Sequence, residues 1–128
     1  TTTAPHAISY PITTYHGLQH GHAVAFTLGK FFVINSEFDN TNIMDPRGGE
    51  YLSNCLNDLY LMFGKSNAEE CRAFWYQLMD DIYLETDINK IGINSDFKIN
   101  RITDNINIDR LNNNPVRITK EIIKGVLC

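Results

Sequence analysis

The run from Ala23 to Ile34, AVAFTLGKFFVI, sets the tightest limit on what this chain can fold into. Apolar side chains fall on nearly every side of a 3.6-residue repeat. A helix built from them has no wet face and must be covered by other elements. Phe31-Phe32-Val33-Ile34 taken alone would also suit a short buried strand, but the long periodic context from Gly21 to Phe38 favours helix.

The remaining sequence supplies helical partners. Asp45-Pro46 reads as an N-cap followed by a first-turn proline. After it, Tyr51, Leu52, Cys55, Leu59 and Met62 recur at three- and four-residue steps until Gly64. Ser66-Asn67-Ala68-Glu69 reads as a capping box. The helix it opens carries Cys71, Phe74, Trp75, Leu78, Met79 and Ile82, with Trp75 as core. Glu85 to Ile93 reads as a loop. Asn94-Ser95-Asp96 caps a short helix through Ile102, and Thr119 caps a last one. Thr1 to Thr3 and Pro5 open the first helix, and Pro11 is expected to kink or break it. The asparagine-rich tract ending in Asn112-Asn113-Asn114 could be a low-complexity tail, but the placement of Ile106, Ile108 and Leu111 argues for ordered turns. The expectation is an all-α fold of five to seven helices, one helical domain over residues 1–128, with no convincing strand and no internal repeat.

Charge and cysteine content narrow the function. A net charge of −4 and a pI near 5.4 oppose nucleic-acid and anionic-membrane partners, which both need a basic field. No apolar stretch reaches the ~18 residues of a transmembrane helix. The opening TTTAPHAISYP has neither the charged nor the apolar region of a signal peptide. Cys55, Cys71 and Cys128 form an odd set without CxxC spacing, which opposes a disulfide framework and a cysteine-based zinc knuckle. Reduced thiols in a cytoplasmic protein are expected, with Cys55 and Cys71 as small buried hydrophobes. The missing start methionine suggests a processed chain or a piece of a longer one.

Three of the four histidines lie in HGLQHGH, residues 16–22, and the fourth is His6. Neutral imidazole suits Zn²⁺ and Fe²⁺, and a site usually needs three or four ligands. His16 and His20 have the i, i+4 spacing of one helix face. His20 and His22, at i, i+2, diverge on a helix and converge on a strand. His6 and His20 would stand about 21 Å apart on one straight helix. They can meet only if the chain turns, and Pro11 and Gly17 are the residues that would let it. Spacing alone leaves every pair open beside the plainer reading of polar helix ends.

PHAISYPITTYHGLQHGHAVA resembles the signature of the iron-containing (group III) alcohol dehydrogenases, in which HAxxHP is followed, after nine or so residues, by HG and small apolar residues. The segment Asn113-Asn114-Pro115-Val116-Arg117-Ile118-Thr119 is similar to that family's NNPR-x-hT segment. Asn105 to Leu111 and the HGHAVA form resemble its phosphonoacetaldehyde reductase branch. The resemblance implies that His6 and His20 are metal ligands for Fe²⁺ or Zn²⁺. It makes Tyr10 and His22 candidates for the substrate pocket, with a plain structural role for His22 equally open. Tyr10, the catalytic candidate, stands where many members have a second histidine; its phenol could donate a hydrogen bond or simply pack, and that histidine's proton-relay role does not carry over. Gly21 would start a helix directly after His20, and His16 would be a solvated loop residue. The family's other ligands, in a DxxxH arrangement, and its glycine-rich NAD(P) segment do not occur here. The chain therefore looks like the distal part of the C-terminal helical domain of a two-domain enzyme, with half of a metal site. The implied activity is NAD(P)-dependent interconversion of a small alcohol and aldehyde, with the nucleotide held by the absent domain. A homo-oligomer is compatible with this. Two rivals remain: a zinc-dependent glycerol dehydrogenase-like domain, and a catalytically inert structural or interaction module.

Overall fold

The computed structural model describes residues 1–128. It holds seven helices: α1 (Ala4–His16), α2 (His20–Ser36), α3 (Gly48–Phe63), α4 (Ala68–Asp81), α5 (Asp96–Asp104), α6 (Ile108–Leu111) and α7 (Lys120–Val126). The all-α expectation holds. The only β pairing is a single antiparallel bridge between Ile43 and Val116, which ties the loop before α3 to the segment after α6. No helix is long and apolar enough to cross a membrane.

Helix α2 takes the central place its composition demanded. One side joins the main core, where Ala23 and Phe31 meet Ala7, Ile8 and Ile12 of α1, Ile99 and Ile102 of α5, and Ile123 and Val126 of α7. The other side faces α4. There Trp75 Nε1 donates to the Ala25 carbonyl at 2.9 Å, and the Tyr76 hydroxyl donates to the Phe26 carbonyl at 2.8 Å. The approach is close because Gly29 has no side chain. A Cβ there would stand 2.8 Å from the Tyr76 ring and 3.0 Å from the Trp75 ring. A smaller cluster of Phe32, Ala68 and Cys71 packs beside Phe63 and Trp75.

Several local expectations are corrected. Pro11 does not break α1, which runs continuously through it. The ring is buried, so its packing offsets the one backbone hydrogen bond that proline cannot donate. Asp45 does not cap α3. Its carboxylate accepts from the Arg47 amide at 2.9 Å and from the Arg47 guanidinium at 2.7 and 2.9 Å, so it makes the turn ahead of the helix. The pairing holds the Asp45 carboxyl down near a pKa of about 2. The capping box is shifted by one residue: Asn67 accepts from the Glu70 amide, and Glu70 accepts from the Ser66 amide. Cys71 is buried as expected, but Cys55 is exposed because α3 buries only Leu52.

The asparagine-rich tract is ordered. Asn107 caps α6 by accepting from the Arg110 amide at 2.9 Å, and Ile106 and Leu111 are buried, although Ile108 is exposed. Asn114 is itself buried, donating to Asn35 Oδ1 and to the Val116 carbonyl, each at 2.8 Å.

Candidate functional site

The chain reverses between α1 and α2 in three residues. Gly17 ends α1 in the left-handed conformation, φ +69°, and its amide donates to the Thr13 carbonyl at 3.0 Å. A side chain strains this conformation, so glycine is the residue the turn asks for. Gln19 takes the position before α2 without a side-chain capping bond, and His20 is that helix's first residue, one earlier than Gly21. The turn folds α2 back along α1, and the two helices make the most extensive helix pairing in the molecule.

This reversal brings His6 and His20 together. Their ring centroids are 5.5 Å apart with the planes crossed at 62°. Two imidazoles holding one ion at about 2.0–2.1 Å with a near-tetrahedral angle place their ring centres roughly 5 Å apart, so the observed separation fits shared ligation. Tyr10, one turn along α1 from His6, lies beside them, its ring centroid 5.2 Å from that of His20. The Arg110 guanidinium lies over the same tyrosine, its carbon 4.4 Å from the Tyr10 ring centroid.

Ser9 completes the corner. It is fully buried, and its hydroxyl donates to the His6 carbonyl at 2.8 Å. With its proton committed there, Ser9 Oγ is left to accept from His20 Nδ1, 3.3 Å away. This arrangement suits the tautomer with its proton on Nδ1, in which the Nε2 lone pair is free. Ligating histidines are oriented in this way, one nitrogen on the metal and the other donating outward. Sequence reading passed over Ser9. The available signal was its place between His6 and Tyr10 on a helix whose neighbouring residues are apolar.

The other two histidines are elsewhere. His22 Nε2 lies 2.8 Å from the Glu85 carbonyl, 63 residues away in sequence, and so ties α2 to the loop after α4. His16 is not a solvated loop residue. It is the last residue of α1, half-buried, and its Nε2 is buried without a partner. Burial, with help from Lys98 and Arg101, pushes its pKa below the ordinary value.

No group of three or more His, Cys, Asp or Glu side chains gathers anywhere to hold an ion. The corner brings together two imidazoles, fewer than the three or four ligands an ion needs. A cavity of about 570 Å³ is lined by residues such as Asp45, Cys55 and Asn113, and by none of His6, Ser9, Tyr10 and His20.

The model of the Fe-containing alcohol dehydrogenase family, C-terminal part, matches residues 1–128. The chain belongs to that family. Phosphonoacetaldehyde reductase of Streptomyces viridochromogenes is 39% identical over 67 residues, an alignment covering 52% of this chain and 17% of the reductase. The crystal structure of sulfoacetaldehyde reductase from Bifidobacterium kashiwanohense, in complex with NAD⁺, superposes with a TM-score of 0.74 at 23% identity, over 99% of this chain and 30% of that one. At that identity the likeness shows a shared fold. The chain thus spans less than a third of either relative.

Proposed function

We propose that this chain is the metal-binding helical part of an NAD(P)-dependent aldehyde reductase of the iron-containing alcohol dehydrogenase family, in its phosphonoacetaldehyde reductase branch. One observation carries the reading: His6 and His20, fourteen residues apart in sequence, converge to 5.5 Å between ring centroids. The branch rests on the 39% identity to the Streptomyces reductase.

His6 and His20 would hold the ion, Fe²⁺ or Zn²⁺, as two neutral imidazoles. Bound there, the ion supplies Lewis-acid polarisation of a carbonyl oxygen, while a nicotinamide held by a separate domain supplies hydride. Ser9 keeps His20 in the tautomer that presents Nε2. Tyr10 bounds the substrate side of the corner, where its phenol O–H donates to the substrate oxygen and its ring excludes water. His22 anchors the loop at Glu85, and the geometry favours that role over the substrate contact expected from the resemblance.

Metal content and activity of the full-length polypeptide test this together. It should retain Fe²⁺ or Zn²⁺ and oxidise NADH or NADPH in the presence of a small aldehyde. The isolated 128-residue chain, with two ligands and no nucleotide-binding segment, should bind the ion weakly and reduce nothing. Aldehyde reduction by the isolated chain would overturn this division of labour.

A further inference from the structure

We propose that Arg110 recognises the charged head group of an anionic aldehyde, a small carbonyl compound bearing a tetrahedral oxyanion such as a phosphonate or sulfonate. The proposal rests on the reductase reading above and adds the residue that reads the substrate's charge.

Four observations carry it. Arg110 lies against the corner: 4.4 Å from its guanidinium carbon to the Tyr10 ring, then 5.2 Å from that ring to His20. The arginine is uncompensated. The four ion pairs of the chain involve Arg47, Arg72, Lys90 and Lys120, and the Arg110 side chain makes no hydrogen bond. Its backbone is fixed, with Asn107 capping its amide and the next residue, Leu111, buried in the core. The corner beside it is open to a ligand: Tyr10 is 41% exposed and His20 is exposed.

Stacking alone would not single out Arg110. Arg101 stacks over Tyr15 at 4.0 Å, but Tyr15 is not beside either of the paired histidines. Arg47 stacks over Tyr51 at 3.8 Å, but its donors are taken by Asp45. A guanidinium lying on a ring keeps its N–H edge free in its own plane, and that fork matches two oxygens of a tetrahedral anion. In a chain of net charge −4, a fixed and unpaired cation at this point gives an anionic substrate a local partner that the whole molecule's charge does not.

The test compares sulfoacetaldehyde with propionaldehyde, a neutral aldehyde of similar size, in the full-length, metal-loaded enzyme. Arg110→Met should lower kcat/KM for sulfoacetaldehyde roughly tenfold to a hundredfold, through KM, and leave propionaldehyde nearly unchanged. Arg110→Lys should recover part of the loss. Binding of sulfoacetate, followed by calorimetry, should weaken by a similar factor in Arg110→Met. Equal loss on both aldehydes would reduce Arg110 to a packing role, and no loss on either would remove it from the site. A wild-type enzyme that reduces only propionaldehyde would overturn the charge proposal and leave the reductase reading standing. One that reduces neither would overturn both.

Discussion

Helices α1 and α3 are similar in length and both are amphipathic, yet they fare differently. Of the 13 residues of α1, seven are buried, among them Ala4, Ala7, Ile8 and Ile12 with no exposed surface. Of the 16 residues of α3, only Leu52 is buried, and Leu61 and Met62 are 77% and 72% exposed. The difference lies in what each helix has to pack against. The turn at Gly17 packs α2 against α1 in the most extensive helix pairing of the molecule, while α3 meets α4 far less, with Phe63 5.2 Å from Phe74. An apolar stripe shows that a helix has something to bury; whether it is buried depends on the neighbours. His6 stands on the well-packed α1, and His20 opens α2 against it.

Core truncation should expose the contrast most strongly. Ile8→Ala, in a fully buried position, should destabilise the chain by about 2–5 kcal/mol. Met62→Ala should stay within about 0.5 kcal/mol. Urea denaturation of both variants measures this, and equal losses would erase the distinction between the two regions. Ser9→Ala asks whether the packed corner sets the metal's affinity. It should weaken Fe²⁺ or Zn²⁺ binding by the full-length protein about 10–100-fold while the far-ultraviolet circular dichroism is unchanged. Unaltered affinity would mean that Ser9 does not orient His20.

Gly29→Ala tests the tight contact between α2 and α4. A methyl group 2.8 Å from the Tyr76 ring should cost about 1–3 kcal/mol, read as a lowered thermal midpoint. No loss would show that α4 can move away freely, as α3 could.

The smallest effect is the pH response of His16. Its pKa is lower in the folded chain than in the unfolded one, so its contribution to stability is intact above the unfolded value of 6.5 and is lost as the pH falls through the folded value. The cause is structural: protonation would put a second N–H on a nitrogen that is buried without a partner. The urea midpoint should fall between pH 7.5 and pH 5.5, and fall less in His16→Gln. Identical pH profiles for the two proteins would exclude His16 as the source.

The helical architecture could be read from the chain because its signals are local. Thr119 caps α7 as expected, accepting from the Ile122 amide at 3.3 Å. The apolar run around Phe31 became the central helix. Errors arose where tertiary contacts decided the outcome. Pro11 carries a strong local signal for a break, but a buried ring outweighed it. Cys55 carries the spacing of a core residue, but no element covers it. The pair His6 and His20 was named from a family pattern, whereas spacing left all the histidine pairs open. Ser9 and Arg110 were missed for a different reason. A serine in a helix and an arginine in an asparagine-rich tract are ordinary in sequence, and only the folded chain shows Ser9 against His20 and Arg110 over Tyr10.

The turn at Gly17 has a consequence for how the corner meets an ion. The two imidazoles stand side by side in the folded chain, so an ion held between them would not have to order the helices that carry them. A Cβ on Gly17 would touch nothing within 4 Å, so a methyl group there meets no steric obstacle from its neighbours. It would still be strained at φ +69°. A residue remote from both rings thus sets the turn on which their meeting depends.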